Sequence, residues 1–346
     1  MNPPTCIDLS VPAAWGLDPA TVRPLGTGLI NRTYLACTPE GTPRVLQQLN
    51  PMFRPEVNED IEAVTAHLEA RGLLTPRLLR TRDGRLCLPA EGGSWRVMTH
   101  IPGRVLDAVE VAAEAAGAGH LLARFHRALD DLEYRFRHRR PPVHEPARHL
   151  AALAEALATH PGHRLHAPAK TLADEIFAAA RALPPLPETA LRVVHGDPKI
   201  SNVVFAKDGP EALCLLDLDT LGPMRLPFEL GDALRSWCSV SSEDEPAGQF
   251  CALRFAAAVE GYAEAAAGWW TADERRAILP ATATIQVELA ARFCADSLNE
   301  SYFGWNADRF PGRGEHNLAR ARGQLALHRA LRDQWDTLAA AVPASG

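Results

Sequence analysis

The stretch HGDPKISN at residues 195–202, followed fifteen residues after Asn202 by Asp217-Leu218-Asp219, constrains this chain more than any other feature. Residues 191–194 (LRVV) read as a buried strand feeding a loop, with Asp197 two residues past His195 and Asn202 five further on. Residues 212–216 (ALCLL) are a second apolar run of strand length; it ends on Asp217 and so delivers an acid at a strand end. A set of this kind suits phosphoryl transfer, which asks for positioning and charge neutralisation rather than covalent chemistry. Asp197 would orient or deprotonate an acceptor hydroxyl. Asn202 and Asp217 would hold Mg²⁺, which prefers oxygen ligands and keeps water and substrate oxygens as well. Lys199 would neutralise the γ-phosphate and His195 would order the loop, while Asp219 is either a second metal ligand or a structural acid. The plainer alternative is a strand-turn-strand whose Asp and Asn only cap turns. It leaves these offsets unexplained.

Composition narrows the class. The 346 residues are 47% apolar and 23% charged, ordinary for a globular chain of two lobes. A net charge of -6 argues against nucleic acid as the main partner, because backbone binding wants a basic surface. The one basic cluster, residues 135–140 (RFRHRR), reads as a solvated linker or helix end. Seven cysteines are scattered with no C-x-x-C pair, which describes neither a disulfide framework nor a zinc site and fits a reducing cytoplasm. Neither a signal peptide nor an 18-residue apolar run is legible, so a membrane is not an expected partner. Oligomeric state is not readable.

Residues 195–202 together with residues 216–220 (LDLDT) resemble the catalytic loop and metal-binding segment of the aminoglycoside phosphotransferase and choline kinase superfamily, distant relatives of protein kinases. The resemblance implies an α+β, two-lobed, protein-kinase-like fold using ATP and Mg²⁺. A small β-rich nucleotide-binding lobe would span residues 1–101, and a larger helical catalytic and acceptor lobe residues 102–346. Strands at 21–25 and 33–37 would flank the stretch Gly26-Thr27-Gly28-Leu29-Ile30-Asn31. Its glycines let backbone N–H groups approach phosphates; Gly26, Gly28 and Asn31 are the candidates there. A third strand over 44–50 leads into a helix over about 55–71. Kinase-like third strands carry a lysine paired with a glutamate of that helix. Here Gln47 or Gln48 stands in the lysine's place, Glu59 or Glu62 could be the glutamate, and Lys199 or Arg44 could compensate for the missing charge.

Asp83-Gly84 signals a hairpin tip. A strand over 95–101 follows, and residues 99–103 read as the inter-lobe hinge, with His100 and the hinge backbone at the adenine edge and Met98 beneath the ring. Helices are expected at roughly 107–130, 147–160 and 168–183, with His126 as a structural hydrogen-bonder on the first. Residues 221–232 read as a Gly/Pro-rich loop, and Asp232 as the N-cap of a helix over 233–237 or as a substrate contact. Further helices are expected near 247–267, 272–299 and 314–341, with Thr271 and Glu274 as a capping box.

The segments LQQLN at 46–50 and GLINRTY at 28–34 are similar to the N-acetylhexosamine 1-kinase branch, as are RFCAD at 292–296, YF at 302–303, EHNLARAR at 315–322 and QW at 334–335. This similarity implies that Arg292, Tyr302 and Trp335 contact a sugar. No acid cluster stands out near the C-terminal segments, which favours a neutral acceptor. The expected acceptor is the anomeric hydroxyl of an N-acetylhexosamine or related hexose; an amino alcohol or aminoglycoside, or a nucleotide-binding pseudokinase, are the alternatives.

Overall fold

A computed structural model describes residues 7–26, 31–90, 92–138 and 143–344. The chain forms two compact units. The first takes the described residues through Pro102 and the segment beginning at Asp131; the second takes Gly103–Asp130 and the described residues from 143 onward.

The first unit contains helix α1 (Ser10–Ala13), strands β1 (Asp18–Pro24), β2 (Arg32–Cys37) and β3 (Pro43–Gln48), helix α2 (Val57–Ala70), and strands β4 (Leu78–Leu79), β5 (Leu88–Ala90) and β6 (Gly93–Thr99). The sheet is antiparallel, in the order β1-β2-β3-β6-β4, with β5 also on β6. Alternation along the strands sends Ala36, Leu46, Trp95 and Val97 to a core shared with Val11 and Leu17. Helix α2 buries Val57, Ile61, Val64 and Leu68, one stripe at helical spacing. Asp60, also buried on α2, accepts hydrogen bonds from the Tyr134 hydroxyl and from the backbone N–H groups of Arg137 and His138, all at 2.8 Å. Those bonds explain why residues from 131 belong to this unit. Burial and the Asp60 carboxylate push the Tyr134 hydroxyl up to about 12. The Asp83-Gly84 turn closes on itself, Thr81 N–H donating to the Arg85 carbonyl at 2.8 Å. Its flanking strands β4 and β5 do not form the expected hairpin; each pairs with β6.

The second unit contains β7 (Arg104–Val105), helices α3 (Ala112–Ala128), α4 (Pro146–Thr159) and α5 (His166–Arg181), strands β8 (Leu191–Val194), β9 (Val203–Phe205), β10 (Ala212–Leu215) and β11 (Gly222–Arg225), and helices α6 (Leu226–Trp237), α7 (Ala252–Ala266), α8 (Ala272–Asn299), α9 (Arg313–Arg332) and α10 (Trp335–Ala341). Strands β10-β9-β7 form one small sheet and β11-β8 another. Helix α8 is the axis of the core, with Ile285, Leu289, Phe293 and Leu298 packed against residues of α4, α5 and α9. Its N-terminus carries the expected capping box between Thr271 and Glu274.

Three expectations are corrected here. Residues 221–232 are not a loop: they form β11 and most of α6, so Asp232 lies inside a helix rather than at its N-cap. The residues that read as breakers have other uses. Pro227 occupies the first turn, where a missing N–H does no harm, and Gly231 sits against α8, where a Cβ would lie 2.9 Å from the Ala281 carbonyl. The helix expected from about 247 starts only at Ala252, because residues 239–250 double back, with Ser239 bridged to Phe250. The last helix is two, divided at Asp333 and Gln334.

Candidate active site

Strand β8 ends at Val194, and Gly196 then takes φ 85°, a left-handed turn that glycine makes without strain. The loop that follows is held from both sides. Glu229, fully buried on α6, accepts the backbone N–H groups of His195 and Gly196 at 2.9 Å each. From the last turn of the same helix, Ser236 Oγ accepts the Ile200 N–H at 3.1 Å and Trp237 Nε1 donates to the Pro198 carbonyl at 2.8 Å. The Asp197-Pro198-Lys199 tip is thereby fixed at both ends. His126 on α3 stands 3.5 Å from Glu229 and bonds the Tyr262 hydroxyl at 2.9 Å, the structural role expected of it.

His195 is wholly buried. Its Nδ1 accepts the Asp197 N–H at 3.2 Å, so the ring proton belongs on Nε2, which donates to the Leu216 carbonyl at 2.7 Å. Burial lowers its pKa, so the ring stays neutral and both bonds persist. The imidazole thus links the 195–202 loop to the residue before Asp217, and Thr220 Oγ1 adds a second link by donating to the His195 carbonyl at 2.7 Å.

Asp197 keeps 28% of its side chain exposed, and Oδ2 accepts Lys199 Nζ at 2.6 Å. Burial pushes this carboxyl up, but the Lys199 ammonium outweighs it and holds the group below the usual carboxylate range. Conversely, burial pulls Lys199 down while Asp197 and Asp217 raise it further. Asn202 spends its Nδ2 on the Asp197 carbonyl at 2.8 Å and on Oδ2 at 3.2 Å, and its Oδ1 takes no part in those bonds. The Asn202 carbonyl accepts the Leu216 N–H at 2.7 Å, which brings Asp217 alongside. Asp217 itself adopts φ 59°, ψ 59°, a left-handed conformation rare outside glycine and concentrated at functional sites. The pair Asn202 Oδ1 and Asp217 carboxylate fits Mg²⁺, which takes few protein oxygens. Among the described residues no group of three or more His, Cys, Asp or Glu side chains could hold a metal. Asp219 is buried in the turn after Asp217.

Asp232 Oδ1 accepts both Nε and Nη2 of Arg235, at 3.2 and 2.7 Å, and Arg235 Nη1 reaches Glu243 at 2.8 Å. Asp244 accepts Arg320 Nε at 2.8 Å and lies 2.8 Å from His316 Nε2, while Glu245 accepts Arg309 at 2.7 Å. An acidic run therefore does lie beside the C-terminal segments, contrary to expectation, but each acid is paired. Asp296 accepts the N–H groups of Ser301, Tyr302 and Phe303 and the Asn317 amide, shaping the turn after α8. Arg292 lies 5.5 Å from the Phe303 ring, and Tyr302 packs edge-on to it at 4.8 Å. Trp335 does not join them. It lines a cleft with Ala272, Arg275, Leu279 and Pro280, residues of α8 that lie about 18–30 Å from Arg292 along the helix at 1.5 Å per residue.

In the first unit, Gly26 takes φ 73°, Gly28 lies outside the described residues, and Asn31 Oδ1 accepts the Asn50 N–H at 2.9 Å. Met98 pairs with Val45 of β3, and His100 follows β6 with Nδ1 buried and without a hydrogen-bond partner among the described residues. Neither helix glutamate pairs with the third strand. Glu59 is ion-paired with Arg137, and Glu62 lies near Arg77 and Arg80. Instead Gln47 Oε1 accepts two N–H groups of Arg96, a residue the sequence reading passed over although it is a charge within an apolar strand. Glu229 was missed too, because the stretch around it read as loop.

Residues 21–278 match the family described as phosphotransferase enzyme family. Among solved structures, an amicoumacin kinase in complex with AMP-PNP, Ca²⁺ and Ami is similar at 17% identity, covering 92% of this chain and 91% of that one, with a TM-score of 0.62. The microcompartment-associated aminopropanol kinase matches at 13% identity over 97% and 98%, TM-score 0.62. A choline/ethanolamine kinase family protein from Mesorhizobium loti matches at 18% over 93% and 92%, TM-score 0.55. At such identities these likenesses speak to the fold, a small sheet lobe with a larger helical one. With a matched span that takes in both the sheet and the Asp197–Asp217 centre, the chain belongs to the phosphotransferase enzyme family.

Proposed function

We propose that this phosphotransferase is a small-molecule kinase that moves the γ-phosphoryl group of ATP to a sugar hydroxyl, with the anomeric hydroxyl of an N-acetylhexosamine or related hexose as the favoured acceptor. The observation that carries the reading is the fixed Asp197–Asn202–Asp217 constellation with Lys199 on the Asp197 carboxylate. The acceptor oxygen attacks the γ-phosphorus, the bond from that phosphorus to the ADP oxygen breaks, and Asp197 takes the acceptor proton. Lys199 turns from Asp197 to the incoming phosphate, which frees the base. Asn202 and Asp217 would hold Mg²⁺, which would supply charge neutralisation for the nucleotide phosphates.

For the acceptor, pairing of Glu243, Asp244 and Glu245 with arginines leaves that run little net charge, which suits a neutral sugar. Arg292 and Tyr302 remain its proposed contacts; Trp335 stands elsewhere. A second reading, an amino alcohol or aminoglycoside acceptor, draws on Asp232, whose Oδ2 is left over once Oδ1 has taken both bonds from Arg235. Incubating the protein with Mg²⁺, ATP and a panel of sugars and amino alcohols, read by product mass, separates them. A sugar 1-phosphate supports the first reading, an O-phosphorylated amino alcohol or aminoglycoside the second, and no phosphorylated product removes both.

A further inference from the structure

Strand β3 has no lysine, yet its α2-facing side carries a cation of another origin. Gln47 faces Arg96 across the β3–β6 ladder, and Arg96 is only 1% exposed. A guanidinium has donors only, so the Gln47 oxygen must face it; Nε and Nη2 approach at 2.9 and 2.5 Å. The amide nitrogen is therefore turned away from the arginine. One of its N–H groups goes to Thr33 Oγ1 at 3.0 Å, directly across on β2, two residues beyond Asn31; the other has no partner among the described residues. Helix α2 contributes Asn58, whose Oδ1 lies 3.5 Å from Arg96 Nη1, while the neighbouring Glu59 turns out to Arg137.

We propose that Arg96 is the positioning cation of the nucleotide site in this unit: it locks and polarises the Gln47 amide so that its free N–H meets a phosphate oxygen from the third-strand position. The inference rests on the ATP reading above. Two donors on one carbonyl-type oxygen withdraw electron density from the amide and strengthen the N–H on its far side.

The test moves the charge between strands. MgATP affinity by calorimetry, KM and kcat, and the thermal midpoint are measured for wild type, Arg96→Gln, and the exchange Gln47→Lys/Arg96→Gln. Arg96→Gln is expected to weaken MgATP about tenfold, ~1.4 kcal/mol, through KM with kcat little changed; the exchange should recover most of that loss. A purely structural arginine would move the midpoint and leave affinity alone. Folded Arg96→Gln binding MgATP as wild type does, or an exchange no tighter than the single variant, overturns the proposal while the ATP reading stands. Wild type that binds no MgATP overturns both. If Arg96→Gln does not fold, Gln47→Met, which keeps the arginine, decides: tenfold weaker binding supports the role and unchanged binding overturns it.

Discussion

At Asp217 the chain accepts a left-handed backbone that a non-glycine residue adopts at a cost of about 1–3 kcal/mol. The surroundings impose it: the preceding N–H is held by Asn202, the preceding carbonyl by His195, and Thr220 is tied back to His195. Glycine would meet these constraints without strain. Asp217→Gly is therefore expected to unfold no lower than wild type, with up to ~1 kcal/mol of added stability, while losing transfer. A lowered thermal midpoint together with retained turnover would contradict the assignment. At this scale the sequence was readable where spacing is local. Asp197, Lys199 and Asn202 lie within one short loop, and His195 is joined to it by a single turn. What stayed hidden comes from distant segments: Glu229 reaches the loop from α6, and Arg96 meets Gln47 only through strand register.

Helices were legible where they cap or stripe in the usual way and illegible where packing overrode composition. The start of α8 was fixed by Thr271 and Glu274, but α6 was hidden by Pro227 and Gly231, whose reasons are positional and tertiary respectively. The same logic governs α3 and α7, which cross backbone to backbone. A Cβ on Gly119 would lie 2.1 Å from the Ala258 carbonyl oxygen, and one on Gly261 would lie 2.2 Å from that of Ala116. Gly119→Ala is expected to destabilise by about 1–3 kcal/mol or more, readable as a lower denaturation midpoint; an unchanged midpoint would show that the crossing yields freely. The α8 cap also carries a pH signature. Burial raises the Glu274 carboxyl, but two bonds from Arg192 and one from the Thr271 N–H outweigh it and leave its pKa lowered. A depressed folded pKa means that the stabilisation is present above the unfolded value of about 4.3 and disappears as pH falls through the folded one. Thermal scans across that acid range should show Glu274→Gln destabilised by ~1–3 kcal/mol at neutral pH, with the gap closing towards low pH. A gap independent of pH would contradict the ionised cap.

Over the whole molecule, the α+β expectation came with the family resemblance of residues 195–202 and 216–220, and each unit builds its own core. The return of residues 131–138 to the first unit was not legible, because it depends on one buried carboxylate, Asp60, gathering three donors. Among the described residues no helix is long and apolar enough to cross a membrane. The acceptor pocket was the least legible part. Arg292, Tyr302 and Trp335 looked like one group in sequence, yet α8 separates Trp335 from the other two. The central claim is that Asp197 serves the acceptor hydroxyl within an otherwise intact nucleotide site. It is tested most directly by Asp197→Asn, with acceptor-dependent ADP release and MgATP affinity measured on the same preparation. The account predicts turnover reduced by about 10²–10⁴-fold with affinity for MgATP within a few-fold of wild type; wild-type turnover in the variant would contradict it.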